Sequence, residues 1–349
     1  MTTSQPPDFH LNRPGVLIAA LPAVLGFVPE KSLVLVTVDR GEMGCVMRVD
    51  LSGELLNSLD HVADVAAAAK PDSAIAVVID EEGANCRMCN DEHRELADLL
   101  MTALAERGIE LLAVHVVDRV AAGGRWHCAD GCGNAGFVDD PSASPLAVAA
   151  VLEGRRLYAR RADLQEVIDV IDPARTDALA EVIEGCKPHS AERHDDAARA
   201  DVEAAIGAAA RVADATELGD DELVRLALAL SDIRVRDTLY ALAVGENACQ
   251  AESLWAVLSR TLPEPWRVEA LVLLAFSAYA RGDGPLAGVS LDAALHGDPT
   301  HRMANMLDTA LQSGLRPERI RDLAITGYRL ADRLGVQLPP MRAFGRRAG

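Results

Sequence analysis

Two short-spaced cysteine pairs, Cys86-x2-Cys89 and Cys128-x3-Cys132, hold four of the seven cysteines in the chain. His93 lies one helical turn past Cys89, and His127 adjoins Cys128. Thiolates and imidazoles are the ligands zinc prefers, and two close pairs from separate segments commonly complete its tetrahedron. The metal-ligand set read from the sequence is therefore Cys86, Cys89, Cys128 and Cys132, with zinc as the cation and no other cofactor identified. Inert thiols are the competing reading. A redox dithiol at Cys86 and Cys89 is a third. It is disfavoured because the following helix is expected over Asp91–Arg107, so the pair would not open a helix, where a thiolate is stabilised.

The second group able to do chemistry is a set of carboxylates. Asp80-Glu81-Glu82 closes one apolar run and Asp118 closes another. Ligands of parallel sheets bind outside the carboxyl ends of strands, which makes Asp80, Glu81 and Asp118 the ligand-binding candidates. The competing reading is that they cap loops or helices. Gly131-Cys132-Gly133-Asn134-Ala135-Gly136 matches the dinucleotide fingerprint by letter. Phe137-Val138-Asp139-Asp140-Pro141 cannot open the helix that would hold a pyrophosphate, so that reading is rejected. There is no Walker A sequence, no G-x-S-x-G elbow and no H-E-x-x-H helix. His115 lies inside an apolar strand and needs a polar partner. His189 follows Pro188 in a loop, without a partner at a diagnostic spacing.

These residues must be positioned by the first half of the chain. Val16–Leu25 reads as a helix, and Ser32–Val38 with Gly44–Leu51 as a hairpin about Asp39-Arg40-Gly41. Ser58–Lys70 has helical periodicity. Ser73–Asp80 and Ile109–Val117 read as strands buried on both faces, separated by the Asp91–Arg107 helix, with a further short strand around Trp126. The expected fold is an α/β domain over 1–150, its mixed sheet combining a hairpin with parallel strands. Pro141–Pro145 reads as a linker or surface loop.

Past it, strand signals cease. A helical connecting region is expected over 151–215 and an all-α, repeat-like region over 216–349. Leu271-x2-Leu274-Ala275-x2-Ala278 and Ala287-x3-Leu291-x2-Ala294, closed by Pro299, fit a tetratricopeptide-like helical hairpin. Ala241, Ser253, Val257 and Pro265 occupy the matching places one repeat earlier. Stacked hairpins of this kind offer a concave face to a peptide. The alternative is that the helices only cap the α/β domain.

The chain has 349 residues and a net charge of −19, with 50% hydrophobic, 25% charged and only 3% aromatic residues. That is a globular composition whose field repels phosphate backbones and anionic lipid, so neither nucleic acid nor membrane is expected as a partner. The basic end at Arg342, Arg346 and Arg347 is too small to reverse it. No signal peptide is visible, and a cytoplasmic location is expected.

Leu21-Pro22-Ala23-Val24-Leu25-Gly26-Phe27-Val28-Pro29-Glu30-Lys31-Ser32-Leu33-Val34 resembles the opening signature of an actinobacterial family, domain of unknown function 4192. Arg48-Val49-Asp50-Leu51, Trp126 with the following cysteines, Val235-Arg236-Asp237 and Ala280-Arg281-Gly282-Asp283-Gly284 are similar to it too. The resemblance implies no activity or catalytic residues. The family pattern has a doubled cysteine followed by Pro after the Trp, from which Cys128-Ala129-Asp130-Gly131-Cys132 departs. The leading functional expectation is a non-enzymatic binding or adaptor protein that holds a protein or peptide in a helical groove. The alternative is a small-molecule- or metal-dependent enzyme with its site at the strand ends and cysteine loops.

Overall fold

The computed structural model describes residues 13–53, 55–68, 70–152, 157–186 and 194–342, so His189, Arg346 and Arg347 lie outside the described residues. The chain forms two compact units that divide between Leu164 and Gln165; the second runs onward from there, less the turn Gln312–Gly314. The sequence reading ends its first domain near 150. Residues 165–186 and 194–215 group with the helices that follow.

The first unit opens with α1 (Pro14–Leu25), which has Pro at its first turn, where no amide is needed. It stops at Gly26, whose left-handed φ of 76° lets its N–H reach the Pro22 carbonyl at 2.8 Å. The chain then builds β1 (Ser32–Asp39), β2 (Glu42–Asp50), α2 (Leu55–Ala68), β3 (Ser73–Ile79), α3 (Arg87–Ala105), β4 (Glu110–Val117), β5 (Arg125–Cys128) and β6 (Ala135–Phe137). These strands make one mixed sheet in the order β2-β1-β3-β4-β5-β6. Only β3 and β4 are parallel; every other neighbouring pair is antiparallel. The hairpin and the central parallel pair fall where the apolar runs place them. All seven residues of β3 are buried. One side of the sheet is closed by α2 and α3, whose Leu59, Val62, Leu96, Leu100 and Leu104 form a single core with Leu33, Leu35, Ala76, Val78 and Val116.

Three expectations change. First, α3 begins at Arg87, a full turn before Asp91, with Cys86 as its N-cap residue in extended conformation. Second, β4 is not buried throughout: its register against β3 shifts between Ala74 and Ile75, the unpaired residue is Leu112, and Leu112 is 52% exposed. Third, Pro141–Pro145 is not a free linker. Pro141–Ala143 is a 3-10 turn capped by Asp140, and Pro145 opens α4 (Pro145–Leu152), which packs on α1.

The second unit contains α6 (Pro173–Cys186), α7 (Asp195–Ala213), α8 (Asp220–Leu230), α9 (Ile233–Leu239) and a 3-10 segment (Tyr240–Val244). These are followed by α10 (Ala248–Thr261), α11 (Trp266–Arg281), α12 (Gly284–Gly297), α13 (Arg302–Gln312) and α14 (Pro317–Leu334); α5 (Arg161–Gln165) spans the division. No helix among the described residues is long and apolar enough to cross a membrane. The helix α11 is the centre of this unit: α8, α10, α12, α14 and the 3-10 segment all contact it. Ala275, Ala287, Leu291 and Ala294, the small and apolar places of the repeat pattern, are all fully buried. Ala241, their counterpart one repeat earlier, lies in the 3-10 segment and not in a regular helix.

α14 lies against α9, the 3-10 segment and α11. At Gly327 an added Cβ would stand 2.8 Å from Ala241 Cβ and 2.9 Å from the Thr238 carbonyl oxygen. Gly288 of α12 is the opposite case, since a Cβ there would meet only Leu311 Cδ2 at an ordinary 3.5 Å. Gly327→Ala is therefore expected to destabilise the protein by about 1–3 kcal/mol through overpacking. Gly288→Ala is expected to stabilise it by roughly 0.5–1 kcal/mol by removing a mid-helix glycine. Urea unfolding of the two variants checks the opposite signs.

Candidate functional site

Two groups of metal-competent and titratable side chains stand out in the first unit. The first is the opening of α3. Cys86 caps the helix and Cys89 stands within its first turn. The Cys86 sulfur closes no capping hydrogen bond. The Cys89 N–H, then the Cys89 thiol and the Met88 N–H, hold the Cys86 thiol below its ordinary pKa. Cys89 is pushed the other way, first by the Cys86 thiol, then by burial and by the charges of Cys86, Glu92 and Asp80.

Behind this turn, Asp80 at the end of β3 meets His93 of α3, Oδ2 to Nε2, at 3.2 Å. Gly83 makes room for the pair, since a Cβ there would fall 2.0 Å from Asp80 Oδ2 and 3.1 Å from His93 Cε1. His93 is 7% exposed, and its Nδ1 has no hydrogen-bond partner among the described residues. Asn90 ties the turn to the sheet by meeting His127 Nε2 of β5 at 3.1 Å. Burial first, and the nearby His93 second, hold the His127 imidazole below its usual pKa.

The second place is the loop between β5 and β6. Successive residues of a strand point to opposite faces. His127, opposite Val116, points to the α3 side, whereas Cys128, opposite His115, points away from it. Cys128 Sγ is 3.6 Å from His115 Nδ1, and the His115 ring stacks edge-on against Trp126 at 5.3 Å. Asp130 Oδ1 accepts from the Cys132 N–H at 2.9 Å, a turn that folds Cys132 back. The ligand atoms of Cys128, Asp130 and Cys132 all lie within 4.8 Å of one another, the one such group among the described residues. Burial, then the Cys132 thiol, push the Cys128 thiol up to about 12. Burial brings the His115 imidazole down to about 4, against a weaker opposing pull from Asp130.

The cysteines thus come together two by two, Cys86 with Cys89 and Cys128 with Cys132, and the four do not form one group of mutual contacts within 4.8 Å. Among the carboxylates, Asp80 joins the α3 cluster. Asp118 does not: its Oδ1 accepts from the Arg119 and Arg125 amides at 2.6 and 2.8 Å, which pins the turn between β4 and β5. Glu81 stands exposed on the turn after β3. Asp130 was missed by the sequence reading, although a carboxylate midway between two cysteines is visible in Cys128-x-Asp130-x-Cys132.

The family-like stretches carry polar contacts inside each unit. Arg48 Nε donates to Ser32 Oγ at 2.8 Å, its guanidinium also pairs with Asp50, and it lies 5.9 Å from the Phe27 ring centroid. Trp126 Nε1 donates to the Phe137 carbonyl across β5 and β6. Arg236 bridges Asp237 and Glu269. Arg281 binds Glu252 at 2.7 Å and Asp283 at 3.1 Å, and Asp283 caps α12 just after Gly282 turns at φ 90°.

Fold and site together define a mixed α/β unit bearing paired thiols, joined in one chain to a mostly helical unit. The chain matches the family described as Domain of unknown function (DUF4192) over residues 14–318, and it belongs to that family. No curated protein and no solved structure matches it.

Asp118 and Glu81 separate the two kinds of carboxylate. Asp118→Ala removes the buried carboxylate that accepts from two turn amides and is expected to cost about 1–3 kcal/mol of stability. Glu81→Ala is expected to stay within about 0.5 kcal/mol. Chemical denaturation of both variants checks the contrast.

Proposed function

We propose that the α/β unit is a metal-dependent site, in which Cys128, Asp130 and Cys132 hold a zinc-class cation. The carrying observation is that three metal-competent side chains already converge on a single loop. Two thiols and a carboxylate suit a borderline-soft ion. Cys128 Sγ lies 3.6 Å from His115 Nδ1, within hydrogen-bond range of a sulfur. His115 therefore stands where it can hydrogen-bond the Cys128 sulfur and orient it, as partners behind metal ligands do. Three protein ligands, one at the end of β5 and two on the loop after it, leave a fourth position for water or a small molecule, the arrangement of a reactive zinc and not of a closed structural one. This supports the enzyme reading in its metal-dependent form.

The adaptor reading comes second. The packed helices α11 and α12 support it, since Ala275, Ala287, Leu291 and Ala294 are buried, whereas Ser253 of α10 is exposed. Against it, α14 of the same chain already lies along α9, the 3-10 segment and α11, the places where the pattern puts successive first helices.

Elemental analysis of protein purified without a nickel column tests the proposal. Stoichiometric zinc is expected in the natural chain and in Cys86→Ser, with loss in Cys132→Ser and more than tenfold weaker retention against a chelator in Asp130→Asn. Metal-free natural protein, with Cys132→Ser unchanged in stability after zinc is added, would overturn it.

A further inference from the structure

The other cysteine pair is left unused by the metal reading. It lies in a parallel strand–helix–strand unit, β3-α3-β4, at the very start of the crossover helix. The geometry points to Cys86 and Cys89 as a reversible redox dithiol, with Cys86 the attacking thiol and Cys89 the resolving one. A two-residue spacing across a helix start places both thiols on the same turn, Cys86 at the cap and Cys89 within the first turn. Both residues are part-exposed, so a small disulfide can reach them. The helix start also makes the two thiols unequal. Amides and the positive end of the helix dipole favour the thiolate at Cys86, while the Cys86 thiol and then burial disfavour it at Cys89. Cys45, Cys186 and Cys249 have no such partner thiol among the described residues.

The exchange balances with a low-molecular-weight disulfide as oxidant. The Cys86 thiolate attacks one sulfur of the disulfide, forms a mixed disulfide and expels a thiolate, which takes up the Cys86 proton. The Cys89 thiolate then attacks the Cys86 sulfur, closes the protein disulfide and expels the second thiolate, which takes up the Cys89 proton. Two electrons pass from the dithiol to the small disulfide, which leaves as two thiols.

The test uses the full chain and glutathione disulfide, with alkylation, digestion and mass spectrometry at intervals. The expected result is a Cys86–Cys89 disulfide that forms before glutathione appears on exposed Cys132, Cys186 or Cys249, and that dithiothreitol reverses. Cys89→Ser is expected to trap glutathione on Cys86, and Cys86→Ser to abolish rapid modification of Cys89. The double variant Cys128→Ser/Cys132→Ser is expected to keep the reaction, which separates it from the metal site. Glutathione spread over the exposed cysteines without an internal disulfide would overturn the inference, as would a Cys128–Cys132 disulfide forming first. Either failure leaves the zinc measurement standing on its own, because that measurement reads different residues.

Discussion

The parallel pairing of β3 with β4 is the constraint on which the candidate site depends. Parallel neighbours cannot be joined by a tight turn, so the chain must leave the end of β3, cross the sheet as a helix and re-enter at the start of β4. The crossover helix α3 consequently starts beside the end of β3. That single requirement puts Asp80, the Cys86–Cys89 turn and His93 in one neighbourhood. The burial of Leu96, Leu100 and Leu104 holds the rest of α3 on the sheet and so fixes where its first turn sits. Each fully buried leucine contributes about 1.5–3 kcal/mol, more than any one polar contact at the helix start. The polar cluster is therefore placed by the core, and not the reverse.

The pleat of β5 sets the second constraint. With Val116 on the α3 side and His115 on the other, the pairing of β5 with β4 forces His127 toward Asn90 and Cys128 toward His115. A shift of one residue would exchange them, but Ala129, buried against the α3 core, opposes the slip. Adjacent residues in sequence thus serve different sites. This is why a four-cysteine reading drawn from spacing alone meets two separate pairs in the fold: spacing along the chain carries no information about which face of a strand a side chain takes.

Much of the framework was legible because burial writes itself into the chain as apolar runs. Leu33–Val36 and Ala74–Ile79 could only be interior strands, and the hairpin turn at Gly41 follows from its neighbours. The start of α3 was not legible, since cysteine is not among the residues that usually cap a helix and Asp91 offered a more conventional signal. β6 was hidden in a glycine-rich loop whose letters suggest a nucleotide fingerprint. The bulge at Leu112 left no mark, because an apolar strand residue looks the same whether it is paired or skipped. Of the site, the thiols were visible as residue types. Their division into pairs, the Asp80–His93 contact and the part of Asp130 arise only from pairing and pleat.

The helical unit shows the same logic turned toward closure. A repeat of small residues permits close helix approach, and such an array normally continues by stacking another pair against its open side. Here Gly327 brings α14 onto Ala241 and Thr238 of the same unit, and α11 is contacted on several sides by other helices of the chain. The buried residues of α14, Ile320, Ala324, Gly327 and Ala331, recur at spacings of three and four and form one stripe. That stripe covers surface that an extended array would leave for a neighbour or a ligand. Small residues that look like a binding repeat in sequence serve here to seat a helix of the same chain, so their spacing by itself is weak support for a peptide groove. The thiols of the first unit differ in kind, because burying apolar surface does not require paired cysteines around a carboxylate, nor a second pair at a helix start. Their arrangement is therefore the stronger guide to what the protein does.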